Sequence, residues 1–230
     1  MSIYAISDWH LSGQNPKPMD IFGGAWANYV EELTQNILSV VREEDILLIS
    51  GDISWAMRLE NAQPDLDFIA GFPGQKVILR GNHDYWWQTI TLVRRSLGKG
   101  TYALQNDSIK IAHEGGSVII AGSRGWLEPD GTAENDKIYA RELLRMEMSL
   151  NEAQKKRAEG DKLIVMTHYP PFGGKYDTPV TRLIEQYRPD AVVYGHIHGK
   201  YGRDVKTVIG GIPYYLTSCD ILKNVPLKVL

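Results

Sequence analysis

The chain reads as a mixed α/β domain, and three observations lead there. Five short apolar runs are rich in Ile, Leu and Val: SIYAIS at 2–7, DILLIS at 45–50, QKVILR at 75–80, DKLIVMT at 161–167 and DAVVY at 190–194. None alternates strictly, which is the pattern of strands buried on both faces of a parallel sheet under helical covers. Stretches of helical periodicity lie between most of them. At 230 residues the chain suits one large domain with a well-buried core, and residues 1–230 are taken as that single domain.

The elements follow in order. After the first run comes the loop 12–24, rich in Gly and Pro and long enough to be functional. Trp26, Val30, Leu33, Ile37 and Val41 recur at threes and fours, giving a helix with one apolar face. Beyond the second run, 64–70 reads as a short helix with Pro64 tolerated in its first turn. Beyond the third, 85–97 reads as another. Residues 101–123 read as strands, with turns at Gln105-Asn106-Asp107 and Glu114-Gly115-Gly116. The charged stretch 134–159 reads as a long helix with Ile138, Leu143, Leu144, Met148 and Ala153 on or near one face. The tail 207–218 reads as a hairpin turning at Gly210-Gly211. No repeat, linker or low-complexity segment interrupts this order.

Composition narrows the function classes. Net charge is −3 with mixed signs and no long basic run, so a general grip on nucleic acid is not advertised, although a local basic patch stays open. The single cysteine, Cys219, forbids an internal disulfide and reads as a small buried hydrophobe near a C-terminal strand. MSIYAIS has no basic or long apolar leader character, and no apolar run approaches the ~18 residues of a membrane span. The expectation is a soluble, cytoplasmic protein.

The chemistry sits where the runs end. The first delivers Asp8 and His10 (DWH), the second Asp52 (GD), and the third Asn82, His83 and Asp84 (GNHD). The fourth delivers His168 and the fifth His196 and His198 (GHIH). Five of the six histidines stand at these exits; His113, beside a turn, reads as a surface residue. Ligands of open α/β sheets bind outside the carboxyl ends of the strands, and parallel strands bring these exits to one edge. Each motif is common alone, but their joint occurrence is specific.

Imidazoles among carboxylates and an amide oxygen suit Mn, Fe, Zn, Co or Ni better than Ca or Mg, and no thiolate points to a structural zinc cluster. Seven donors are too many for one tetrahedral ion and enough for two if one carboxylate bridges. Residues at i and i+2 of an extended segment point the same way, so Asp8/His10 and His196/His198 are each expected to converge. Two such ions clamp the attacking and leaving oxygens of an in-line displacement, and bound water loses its proton near neutral pH. No nucleophile motif such as G-x-S-x-G stands beside them.

The series D-x-H, G-D, G-N-H-D, H and G-H-x-H, complete and in order from Asp8 to His198, resembles the calcineurin-like metallophosphoesterase superfamily. The resemblance implies a four-layer α/β/β/α sandwich of two mixed sheets flanked by helices. It implies one metal on Asp8, His10, Asp52 and His198, and a second on Asp52, Asn82, His168 and His196, with Mn favoured. It implies attack by metal-bound hydroxide on a small phosphoester, a nucleotide included, with His83 facing the substrate and Asp84 orienting it. GNHDYWW is similar to bacterial members described only as phosphohydrolases, so the reaction is better marked than the substrate.

Substrate choice has fewer signals. Arg124 and Trp126, after the run SVIIAG, are candidates for gripping phosphate and stacking an apolar group. Trp55, Trp86 and Trp87 offer further pocket walls or core packing. GDISWAMR stands where serine/threonine protein phosphatases carry G-D-x-V-D-R-G, so one arginine that grips a monoester dianion is missing. A diester carries one charge less, and a phosphodiester is slightly preferred. Two alternatives remain: a nuclease of the DNA-repair branch, which carries a capping region where only about thirty residues follow His198 here, and a non-catalytic interaction module on the same fold, which an intact ligand set disfavours.

Overall fold

A computed structural model describes residues 1–14, 16–113, 115–199 and 204–230. The five apolar runs form the strands β1 (Ile3–Ala5), β2 (Ile46–Ile49), β3 (Gln75–Leu79), β7 (Lys162–Met166) and β8 (Ala191–Tyr194). Between and after them lie β4 (Thr101–Leu104), β5 (Ser108–His113), β6 (Gly116–Gly122), β9 (Lys206–Ile209), β10 (Ile212–Leu216) and β11 (Leu227–Lys228). The helices are α1 (Tyr29–Val40), α2 (Leu59–Ala70), α3 (Ile90–Ser96), α4 (Ala133–Lys156) and α5 (Pro179–Gln186). The expected turn at 105–107 and the hairpin at Gly210-Gly211 are present; of the turn at 114–116, Glu114 lies outside the described residues.

Two mixed sheets carry the fold. One runs β11-β1-β2-β3-β4, parallel except for β11; the other runs β5-β6-β7-β8-β10-β9, with antiparallel strands at both edges. Their facing sides share a core of Ile3, Ile46, Leu48 and Val77 against Ile120, Ile164, Met166 and Val193. Alternate residues of the same strands, such as Leu47 and Ile49, turn outward onto α1 and α2, while Leu163, Val165 and Val192 turn outward onto α4 and α5. Both faces of each central strand are therefore buried, which is why the runs are continuously apolar. The result is the four-layer α/β/β/α sandwich.

Three helical expectations need correction. The helix α2 starts at Leu59, not 64, because Leu59, Ala62, Leu66 and Ile69 already form its buried stripe. Pro64 thus lies inside the helix and leaves one carbonyl without its usual i+4 donor. The helix expected over 85–97 is confined to α3. Before it, the Tyr85 and Trp87 amides bond to the His83 and Asp84 carbonyls, and Trp86 and Trp87 sink into the core. On α4 the buried face is Tyr139, Met146, Leu150 and Ala153; Leu144 and Met148 point to solvent.

The sheets are stitched together at the carboxyl ends of β1, β2 and β10. Ser7 donates its amide to the Thr217 carbonyl at 2.7 Å, and its hydroxyl meets that of Thr217 at 2.8 Å. The same Ser7 hydroxyl accepts the Ser50 amide at 2.7 Å. This seam fixes the strand exits of one sheet against those of the other. No helix among the described residues is long and apolar enough to cross a membrane.

Candidate metal centre

The strand exits converge as two groups of donors. Ligand atoms of Asp8, His10 and His198 lie within 4.8 Å of one another, and so do those of Asp52, His168 and His196. Asp52 stands between them: its Oδ2 is 3.8 Å from His10 Nε2 and 3.5 Å from His168 Nε2. Asn82 joins the second group, with Oδ1 2.6 Å from His168 Nε2 and 2.8 Å from His196 Nδ1. Asp8 faces His198 Nε2 at 3.6 Å and accepts the His196 amide at 3.1 Å.

The backbone reaches this arrangement by another route than extended i, i+2 pairs. Asp8, His10, Asp52 and His196 have φ of 61°, 46°, 52° and 73°, in the left-handed region that non-glycine residues seldom occupy. These left-handed residues stand at the exits of β1, β2 and β8, and strain of this kind gathers at functional sites. The motif glycines make room: a Cβ on Gly81 would collide with the Asp52 carboxylate, and one on Gly195 with that of Asp8.

The donor chemistry fits metal ions. Burial pushes Asp8 up to about 8, partly offset by His198, and raises Asp52. Burial also holds His168 and His196 down at about 3 and His10 well below its usual value, so these rings are neutral and free to ligate. His168 Nδ1 bonds to the Ser50 carbonyl at 2.9 Å, which sets Nδ1 as the donor and leaves a lone pair on Nε2. That lone pair then faces the Asn82 oxygen at 2.6 Å, two acceptors in contact, an arrangement a cation resolves. Two buried carboxylates among neutral imidazoles ask for the same compensation.

A family model described as calcineurin-like phosphoesterase matches residues 1–200. The chain belongs to the calcineurin-like phosphoesterase family. Like its family, it is a metal-dependent phosphoric ester hydrolase, and family membership implies divalent ions at the two donor groups. No curated protein matches it in sequence. Solved structures match its fold. TT1561 of Thermus thermophilus has a TM-score of 0.61 at 13% identity, covering 99% of this chain and 98% of that one. Phosphopantetheinyl hydrolase (PptH) from Mycobacterium tuberculosis has 0.55 at 15%, covering 94% and 88%. AQ665 of Aquifex aeolicus, a protein of unknown function, has 0.50 at 19%, covering 98% and 94%.

The phosphoesterase centre opens into a cleft of about 440 Å³. Asp52, His83, His196 and His198 form its floor, and Met19, Phe22, Trp26 and Trp55 its apolar wall. The loop 12–24 therefore reaches the site through Met19 and Phe22, though Asn15 within it lies outside the described residues. Trp55 is wedged beside the centre, stacked on His10 at 4.9 Å between centroids and 4.6 Å from His83. Trp86 and Trp87 are core residues.

Other expected site residues stand elsewhere. Asp84 does not hydrogen-bond to His83. Its oxygens accept the Ile53, Ser54 and Gly81 amides and the Trp86 indole N–H, at 2.7–3.1 Å. It pins the exits of β2 and β3 together, and His83 Nδ1 is left buried without a partner. Trp126 packs on Tyr169 and donates its indole N–H to Asn135, off the cleft. Arg124 lies over the Trp126 ring and lines a neighbouring cleft.

One functional side chain escaped the sequence reading. Asp220 accepts from His198 Nδ1 at 2.8 Å through one oxygen and from the Gly199 amide at 2.8 Å through the other. Burial pulls His198 down, but Asp220 and the carboxylates of Asp8 and Asp52 outweigh it and lift the ring to about 8. The available signal was a sixth exit: β10 runs parallel to β8, and TSCD follows it as GHIH follows β8. Cys219, in the same segment, is buried as expected and donates its thiol to the Asp8 carbonyl at 3.1 Å.

Proposed function

We propose that the whole of residues 1–230 acts as one dinuclear phosphoesterase, with two divalent transition-metal ions, Mn favoured, and a phosphodiester preferred over a monoester. Asp8, His10, Asp52 and His198 would hold one ion, and Asp52, Asn82, His168 and His196 the other. The observation that carries this reading is Asp52 Oδ2, within 4 Å of a ring nitrogen of each donor group. Ions bound there would polarise the phosphoryl oxygens and lower the pKa of a water.

The chain's own residues supply the rest. Ser50 and Asp220 hold His168 and His198 in the tautomers that leave Nε2 free to ligate. His83, at the floor of the cleft, donates a proton to the departing oxygen. Asp84 positions the His83 loop without a hydrogen bond to the His83 ring. The apolar wall excludes water and receives the leaving group; Trp26 and Trp55 suit an aryl group or a nucleoside base.

The diester preference is supported by the lining: among the described residues, no Lys or Arg lines this cleft. A lone, buried, unpaired thiol accords with a cytoplasmic setting. The test is hydrolysis by the Mn-loaded chain of p-nitrophenyl diesters and their matched monoesters. Faster diester turnover supports the reading, and a strong preference for the monoesters overturns the diester part alone.

A further inference from the structure

Beside the metal centre lies a second cleft, of about 260 Å³, that the proposed chemistry does not use. Arg80 from the exit of β3, Arg124 from the exit of β6, and Arg141 and Arg145 from α4 all line it. A single carboxylate, Glu142, shares it and is taken by Arg145 at 2.6 Å. Among the described residues, Arg80, Arg124 and Arg141 form no ion pair with a carboxylate within 4 Å, and Asp84 and Glu142 act on Arg80 only from farther off. Arg80 Nε is buried with no hydrogen-bond partner at all.

Such a cluster costs stability. Like charges gathered in a partly buried cleft repel each other, and a buried N–H without an acceptor forfeits its hydration. Arginine is also the side chain whose planar fork matches phosphate and carboxylate oxygens. The cleft is several times the ~30 Å³ that a water molecule occupies in the liquid, so an oxyanion has room. Its amide lining fits as well: Gln105 spends its carbonyl oxygen on the Trp87 indole, leaving its NH₂ as a donor.

Its position ties it to the reaction. Arg80 lies two residues before Asn82, and the Arg124 carbonyl accepts the His168 amide at 3.0 Å. The anion cleft and the metal centre thus share the exit of β3 and the backbone of His168. We propose that this cleft is a phosphate-class oxyanion site, held by Arg80, Arg124 and Arg141, adjoining the metal centre. The oxyanion is either a second phosphate of the substrate or a free anion. The first case rests on the dinuclear phosphoesterase reading; the second does not.

The direct test is calorimetric titration of sulfate into the metal-loaded chain, into Arg141→Gln, and into the Arg80→Gln/Arg141→Gln pair. Arg141 is exposed on a helix and glutamine is a good helix former, so that variant keeps the fold. We expect sulfate affinity to fall about tenfold or more with each arginine removed, at unchanged metal content. No binding to the unmodified chain, or equal binding to all three proteins, overturns the site. Turnover is not needed, so this outcome is independent of the phosphoesterase reading. A second arm separates the two sources: KM for the p-nitrophenyl ester of thymidine 5′-phosphate with and without a 3′-phosphate. A lower KM for the 3′-phosphorylated ester, lost in Arg141→Gln, assigns the site to substrate. Sulfate binding without that KM difference assigns it to a free anion.

Discussion

Replacing Asp220 by Asn separates the two proposed ions more cleanly than replacing a ligand does. Both Asp220 oxygens accept N–H bonds at 2.8 Å, one from His198 Nδ1 and one from Gly199. An asparagine has one acceptor oxygen, so it cannot serve both. If its NH₂ faces the ring, His198 must accept at Nδ1 and carry its proton on Nε2, the nitrogen aimed at Asp8. Loss of a carboxylate partner of this kind typically lowers metal affinity about 10–100-fold, or about 1.4–2.8 kcal/mol. An opposing effect depends on pH. Asp220 also helps hold the His198 proton up to about 8, so removing it relieves proton competition at neutral pH. Competition titration against a chelator above pH ~8, where that relief vanishes, should show the full loss, and at pH 7 a smaller one. Only the ion on Asp8, His10 and His198 should weaken. Equal weakening of both ions, or none above pH ~8, would refute the account of His198.

Three further outcomes follow from the same geometry. His83→Ala should keep its metal and lower kcat by about 10²–10⁴, with alkyl diesters losing more than nitrophenyl diesters; equal losses would replace proton donation by an electrostatic role. Trp55→Ala should raise KM several-fold for aryl and nucleoside diesters, in line with ~0.5–1.5 kcal/mol for an aromatic contact, while dimethyl phosphate should be much less affected. The metal-free chain should lose stability as pH rises from 6.5 to about 8, read from denaturant midpoints. Folded Asp8 and Asp84 hold protons to about 8 and about 7 against 3.8 unfolded, and His198 to about 8 against 6.5, so in this window the folded state binds more protons. His168 and His196, held down at about 3, act the other way only below 6.5. Metal loading should flatten the fall.

The central strands and the residues at their ends were legible because both depend on local pattern. A strand buried on both faces must be apolar throughout, as ILLI of β2 is, and the polar residue that follows it is then conspicuous. What failed depends on tertiary context. Pro64 suggested a helix start, but the stripe from Leu59 to Ile69 carries the helix through it. Tyr85-Trp86-Trp87 has helical composition, yet Asp84 draws the Trp86 indole inward and holds the segment in a turn. Asp220 was hidden because TSCD contains no histidine and follows a strand read only as half of a hairpin. Arg124 was singled out from sequence. Its cleft was not, because Arg80, Arg141 and Arg145 come from distant segments that only the sheet packing brings together.

The central claim is that two metal ions share Asp52 at the joint exit of both sheets. Anomalous diffraction at the Mn edge from Mn-loaded crystals tests it most directly. The account predicts two peaks. One should lie within ligand distance of Asp8, His10 and His198, the other of Asn82, His168 and His196, with the Asp52 carboxylate contacting both. A single peak at saturating Mn, or two peaks without Asp52 between them, would contradict it.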